Sequence, residues 1–102
     1  MKSALFIICF LISGTALCQV TFIINKLPHT HDYKNQIYIS GDFEGWSGGK
    51  EQYKLAQYNN RYFITIPRIA ESIKFKFTLG SWEAVESDVN GNILENRIYN
   101  YN

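Results

Sequence analysis

The stretch Ile73-Lys74-Phe75-Lys76-Phe77-Thr78-Leu79 decides the fold class. Apolar residues occupy its odd positions, and Lys74, Lys76 and Thr78 occupy the positions between them. Successive side chains of a β-strand point to opposite faces of the sheet, so this alternation predicts a strand with one face in the core and the other in water. Lys76 is therefore expected on the solvated face.

The same period of two recurs along the chain, and turn residues interrupt it every eight to twelve positions. Three further strands have inner faces formed by Val20, Phe22 and Ile24, by Ile37 and Ile39, and by Tyr62, Ile64 and Ile66 within Arg61 to Pro67. Weaker strand candidates are Tyr53 to Tyr58, Ile93-Leu94 and Arg97 to Tyr101. About seven short strands in so small a chain predict an all-β fold, an antiparallel β-sandwich of immunoglobulin type.

Residues 1–18 have the composition of an export signal. Met1-Lys2 supplies a positive end, Ala4 to Ile12 is apolar, and Ala16 and Cys18 stand at the minus-three and minus-one positions of a cut before Gln19. The apolar run is too short for a membrane-spanning helix, which needs roughly 20 apolar residues. We therefore expect no membrane span, a signal peptide over 1–18 and one domain over 19–102.

The expected location is periplasmic or extracellular. A lipid anchor on Cys18 is a weaker alternative, because Leu17 stands where a lipoprotein signal usually has Gly or Ala. Both cysteines, Cys9 and Cys18, lie within the expected signal, so the exported domain has no disulfide to stabilise it. Its many aromatic residues are then needed partly as core packing.

The charge balance excludes one large class of partners. Lys and Arg number 10 and Asp and Glu number 9, which gives a formal net charge of +1 at pH 7. Proteins that bind nucleic acid neutralise phosphates with clustered Lys and Arg. Nearly equal numbers of basic and acidic residues give no extended positive field of this kind. A nucleic-acid partner is not expected.

Few residues here suit catalysis. The sequence has no Gly-x-Ser-x-Gly motif, and no cysteine follows Cys18. The two histidines, His29 and His31, stand beside Asp32 in a predicted loop without a further ligand, so solvated histidines are favoured over a zinc site. We expect no enzyme activity, no metal and no cofactor.

The two tryptophans carry more information. Trp46 lies in the glycine-rich segment Gly41 to Gly49, and Trp82 follows the break at Gly80-Ser81. Each ring is either a lid folded back on the core or an exposed platform. An exposed indole offers flat apolar area to the C–H face of a sugar ring without desolvating hydroxyl groups. Two such platforms suit a curved polysaccharide such as an α-glucan.

The order of these features resembles the starch- and glycogen-binding domains of carbohydrate-binding module families 20 and 48. The resemblance covers most of residues 20–101 and is carried by Ile37 to Trp46, with its Gly-x-Phe-x-x-Trp loop, by Tyr62 to Pro67, by Ile73 to Phe77, and by Gly80-Ser81-Trp82. It implies non-catalytic binding of α-1,4-glucan by an exported domain that targets a hydrolase to its polymer.

The resemblance also implies roles for individual residues. Trp46 and Trp82 correspond to the stacking rings, and Lys76 to a donor to sugar hydroxyls. Asn96 resembles a sugar-binding asparagine, although a turn or cap role suits it equally well. Val85 stands where the starch-binding version has its second ring.

The resemblance implies one further strand after the last predicted strand of this chain, which would leave a sheet edge open. An alternative function remains for such a domain. The sandwich is then a structural or interaction domain at the N-terminus of a secreted esterase or glycoside hydrolase. In that case it has no sugar binding of its own, and its tryptophans lie in the interface with the catalytic domain.

Overall fold

The structure is a computed structural model that describes residues 19–28, 31–88 and 90–101. Six β-strands occur in these ranges: β1 (Gln19–Ile24), β2 (Tyr38–Gly41), β3 (Ala56–Tyr58), β4 (Arg61–Pro67), β5 (Ser72–Thr78) and β6 (Arg97–Asn100). Single-turn 3-10 helices span Asp42–Glu44, Glu51–Tyr53 and Trp82–Ala84. The predicted signal peptide and His29 lie outside the described residues.

The strands form two antiparallel sheets of three strands each. Sheet A has the order β1-β4-β3, and sheet B has the order β2-β5-β6. β1 pairs with β4 over its whole length, from Gln19 opposite Pro67 to Ile24 opposite Tyr62. The prediction of an all-β antiparallel sandwich is confirmed.

The core lies between the two sheets and follows the alternation in the sequence. Phe22 of β1 packs against Phe75 of β5, with ring centroids 4.8 Å apart, and meets Tyr99 of β6 edge-on at 5.5 Å. These contacts join sheet A to sheet B. The buried apolar residues are Ile37, Ile39, Leu55, Tyr62, Ile66, Ile73 and Phe75.

The weaker strand predictions are borne out in part. β3 is shorter than the predicted run, because Glu51–Tyr53 forms a 3-10 turn before it. The β3–β4 hairpin turns at Asn59 and Asn60, whose φ angles of 53° and 61° are the left-handed values that a two-residue type I′ turn requires. Ile93 forms only an isolated bridge, to Ser87, rather than a strand.

The prediction that β5 has a solvated outer face is wrong at two positions. Lys76 is 8% exposed and Thr78 is 2% exposed, whereas Lys74 is exposed as predicted. The Lys76 ammonium donates to the backbone carbonyl of Leu94, and the Thr78 hydroxyl donates to that of Gly48. Segments distant in sequence therefore cover this face, which the alternation within one strand does not reveal.

Candidate functional site

Trp46 and Trp82 meet on the protein surface although 35 positions separate them in the sequence. Their ring centroids are 6.0 Å apart and their planes are inclined at 42°. Trp82 is 38% exposed and Trp46 is partly exposed. We call these two side chains the tryptophan pair. The structure thus brings together the two residues that the sequence singles out.

The tryptophan pair lies over the outer face of sheet B. Ser40 of β2 is paired with Lys76 of β5, so these side chains share the face opposite the core residues Ile39 and Phe75. The Ser40 hydroxyl accepts a hydrogen bond of 2.9 Å from the backbone N–H of Gly48. The glycine-rich loop after β2 therefore folds back over the strand from which it comes.

Two glycines allow the loops to approach closely. A Cβ at Gly48 would lie 2.8 Å from Cδ1 and Nε1 of Trp82, so the indole packs directly on the bare backbone. A Cβ at Gly49 would lie 2.1 Å from the carbonyl oxygen of Gly80, which no side chain permits. The absence of side chains at these two positions sets the distance between the two tryptophan-bearing segments.

Trp46 has a backbone conformation that is unusual for a bulky residue. Its φ is 56°, directly after Gly45 at φ 78°. The left-handed region costs a residue with a Cβ roughly 1–2 kcal/mol. The N–H of Trp46 donates to the carbonyl of Gly41 at 2.9 Å, which closes the loop around the strained position. Strain of this kind persists only where surrounding contacts hold it.

The carboxylate of Glu44 organises the interior of this loop. Its Oε2 accepts hydrogen bonds from the Ser40 hydroxyl at 2.7 Å, the Gly41 N–H at 3.0 Å and the Ser47 N–H at 2.9 Å. Its Oε1 accepts from the Ser47 hydroxyl. Burial raises the pKa of the Glu44 carboxyl, but these hydrogen bonds together lower it by more, so its pKa lies below the ordinary value of 4.5. The group is ionised at neutral pH.

Lys76 lies on the same outer face but does not present its ammonium to the surface. The side chain is covered, and its Nζ donates to the carbonyl of Leu94. The expected solvated position is wrong because the segment before β6 crosses β5 at this point. Its predicted role as a donor to sugar hydroxyls stays a prediction.

Asn96 is exposed and directly precedes β6. In sheet B, β6 lies on the opposite side of β5 from β2, whose loop carries Trp46. The structure therefore does not place Asn96 on the strand that leads to the tryptophan pair, and its predicted contact with sugar is untested.

The sequence patterns do not single out Glu44 or the two serines that donate hydrogen bonds to it, Ser40 and Ser47. The sequence does contain a signal for them. An acidic acceptor, Glu44, stands between two hydroxyl donors, Ser40 just before the glycine-rich segment and Ser47 within it. Carboxylates in loops usually face water, and only the folded loop shows that this one faces inward.

The structure also has a concave feature whose lining includes neither tryptophan. It is a cleft of about 580 Å³ between the segment after β1 and the end of β5, with apolar walls that include Leu27, Phe77 and Leu94. Glu86 and Arg97 form an ion pair at its edge, in which both Nε and Nη2 of the guanidinium donate to the carboxylate at 2.9–3.1 Å. Val85, the residue at the expected ring position, lines this cleft.

The described ranges contain neither a cluster of metal ligands nor a membrane-spanning helix. No group of three or more His, Cys, Asp or Glu side chains in the described part of the chain could hold a metal ion. In the same residues, no helix is long and apolar enough to cross a membrane. The His31 imidazole contacts strand β4, with its Nε2 3.0 Å from the Tyr62 hydroxyl.

No family profile matches the sequence, and no curated protein matches it.

Proposed function

We propose that this domain binds α-1,4-glucan, the polymer of starch and glycogen, by stacking sugar rings on the tryptophan pair. The observation that supports the proposal is the pairing itself: two partly exposed indoles, 6.0 Å between centroids, lie on one surface and are inclined at 42°. In this proposal the domain is not an enzyme. It holds a hydrolase, in the same polypeptide or associated with it, near its polymeric substrate outside the cytoplasm.

The shape of the pair favours a curved ligand. Two faces inclined to each other can each contact one sugar unit of a chain that bends between them, whereas a flat glucan presents its faces in one plane. The ligand is uncharged, and the near-balance of acidic and basic residues is compatible with recognition by apolar area rather than by charge. This is the reason to prefer an α-glucan over a straight or anionic polysaccharide.

The expected affinity is modest. An aromatic stacking contact contributes on the order of 1 kcal/mol beyond the area that it buries. Two such contacts leave a small surplus once the loss of translational and rotational freedom is subtracted, so a Kd between about a micromolar and a millimolar is expected.

A titration with maltoheptaose tests the proposal. We expect it to change the tryptophan fluorescence of the wild-type domain, and Trp46→Ala to abolish binding measured by calorimetry. Tyr58→Ala is the matched control, because Tyr58 is an aromatic residue with 70% exposure on sheet A. Cellohexaose, a flat β-linked glucan, should bind more weakly. A silent maltoheptaose titration with folded protein would refute glucan binding.

A second candidate function is an interaction domain without sugar binding. It is favoured by an apolar row across the outer face of sheet A, where Ile23, Phe63 and Ala56 are cross-strand neighbours. Ile23 is 55% exposed and Phe63 is 38% exposed. A photo-crosslinking residue at position 63 that captures a co-produced hydrolase domain, together with a silent glucan titration, would support this function over the first.

A further inference from the structure

Glu44 lies beside the tryptophan pair, and both of its carboxylate oxygens accept hydrogen bonds from the protein. Oε2 accepts three hydrogen bonds, from Ser40, Gly41 and the Ser47 backbone, and Oε1 accepts one from the Ser47 hydroxyl. The carboxylate is turned into its own loop. It is therefore placed to shape the loop rather than to contact a ligand.

These hydrogen bonds hold both ends of the segment that carries Trp46. Gly41 begins the segment and Ser47 follows Trp46 directly, and one carboxylate oxygen accepts the N–H groups of both. Trp46 then completes the loop by donating its own N–H to the carbonyl of Gly41. The left-handed backbone of Trp46 is thus enclosed between two residues that Glu44 binds.

The same network extends to Trp82. The Ser40 hydroxyl donates to Glu44 and accepts the N–H of Gly48 at 2.9 Å. Gly48 is the residue on which the Trp82 indole packs, and its carbonyl accepts from the Thr78 hydroxyl of β5. A single carboxylate thus connects the backbone of one tryptophan to the surface beneath the other.

We infer that Glu44 is a positioning residue of the tryptophan pair, which fixes the distance and inclination of the two indoles without touching the ligand. The inference deepens the proposed function. It depends on that function only where sugar affinity is the readout, since the geometry of the two rings is measurable without any ligand.

Glu44→Gln is the informative change because it preserves size and shape. A carboxylate only accepts hydrogen bonds, whereas an amide has one accepting oxygen and an NH₂ group that donates. With its oxygen in the place of Oε2, the NH₂ group would take the place of Oε1 opposite the Ser47 hydroxyl, and the charge would be lost from all four hydrogen bonds. Hydrogen bonds to a charged group are stronger than those between neutral groups, so the loop should be held less firmly.

The test measures the circular-dichroism couplet of the two indoles and the Kd for maltoheptaose on the same protein samples. Two indoles at this distance couple excitonically, and the sign and size of the couplet report their mutual orientation. We expect Glu44→Gln to reduce the couplet by more than half and to weaken maltoheptaose binding by about tenfold. Glu51→Gln is the matched control, because Glu51 is a surface carboxylate whose ion pair with Lys54 lies outside the loop.

Each outcome decides the inference. If Glu44→Gln remains folded and keeps both the couplet and the affinity of the wild type, Glu44 does not position the pair. If the affinity falls while the couplet is unchanged, Glu44 contacts the sugar itself and the inference is wrong. If the wild-type domain binds no maltoheptaose, the proposed function fails, but the couplet still tests the positioning role.

Ser47→Ala keeps the test valid should Glu44→Gln fail to fold. It removes the one hydroxyl that donates to Oε1 and leaves the carboxylate and its other three hydrogen bonds in place. We expect a smaller loss of the couplet in a folded protein. An unchanged couplet in this variant, with Glu44→Gln unfolded, would make Glu44 a residue of general stability and would overturn the inference.

Discussion

The indole nitrogen of Trp82 donates a hydrogen bond to the backbone carbonyl of Trp46, 3.0 Å away. The polar edge of the Trp82 ring is thereby used within the protein, and only the apolar surface of that ring remains for a ligand. The same contact ties the loop after β2 to the turn after β5. A change in either segment is therefore expected to alter the position of both rings.

Trp82→Phe separates the role of this hydrogen bond from that of the ring. Phenylalanine retains a flat apolar face but has no N–H, so the contact with Trp46 is lost. We expect the free energy of unfolding to fall by about 1 kcal/mol. Maltoheptaose should still bind, but more weakly than to the wild type. Urea denaturation and calorimetry measure the two effects. An unchanged free energy of unfolding would show that the hydrogen bond makes no net contribution to stability.

Gly48→Ala should disturb the pair through contact with the ring. The Cβ would lie 2.8 Å from the Trp82 indole, at a residue whose φ is +89°. We expect a loss of about 1–3 kcal/mol in stability, from overpacking and backbone strain together, and a displaced Trp82 with altered fluorescence.

Gly91→Ala is the control for the backbone part of that effect. Gly91 has a similar φ of +84°, but a Cβ there would meet no atom within 4 Å among the described residues. Its destabilisation should be about 1 kcal/mol, without a change in tryptophan fluorescence. Equal effects of the two substitutions on stability and fluorescence would contradict the close packing of Trp82 on Gly48.

The pH dependence of stability should contain a contribution from Glu44. Its pKa in the folded protein is lowered from the ordinary value of 4.5, since the hydrogen bonds that it accepts outweigh the effect of burial. A depressed folded-state pKa stabilises the protein above the unfolded-state pKa, and this stabilisation is lost as the pH falls through the folded-state value. Wild type should therefore lose stability relative to Glu44→Gln below about pH 4.5.

Asp88 must be controlled in that experiment. Its pKa is also lowered, chiefly by the hydrogen bond from the backbone of Asn92. Its protonation would therefore add to the loss of stability at acidic pH. The difference between wild type and Glu44→Gln should persist when both carry Asp88→Asn. A difference in unfolding free energy that does not vary between pH 3 and pH 6 would contradict a lowered pKa for Glu44.

Lys76→Met distinguishes two roles for the buried lysine. The resemblance to starch-binding domains implies a donor to sugar, whereas the structure directs the ammonium to the carbonyl of Leu94. Methionine fills similar space without a charge that is costly to bury. If the role is internal, maltoheptaose affinity should stay within about twofold of wild type, which is less than 0.5 kcal/mol. A tenfold loss in a folded variant would instead support the sugar-binding role.

The strands were accessible to prediction because their signal is local. The alternation in Arg61 to Pro67 predicts β4 with the bounds that the structure has, and Asn59-Asn60 predicts the turn before it. Burial of every second side chain produces an alternation of apolar and polar residues that is visible within a few consecutive positions. Strand β6 follows from the same pattern, with its end placed one residue earlier than predicted.

The surroundings of the site residues could not be predicted from neighbouring positions in the sequence. Lys76 alternates as a solvated residue would, yet Leu94 lies far along the chain and covers it. The inward orientation of Glu44 depends on how the loop closes, because its donors come both from β2 and from the residue after Trp46.

The sequence by itself determined the all-β class, the positions of the main strands and the two tryptophans as the residues of interest. Period-two alternation and turn residues are properties of neighbouring positions, and they persist whatever the rest of the chain does. Only the tertiary structure decided that the two indoles meet at 6.0 Å, that the Glu44 carboxylate is turned into its own loop, and that Lys76 of β5 is buried. These relations depend on which distant segments cross the outer face of sheet B, and that is settled by packing of the whole domain.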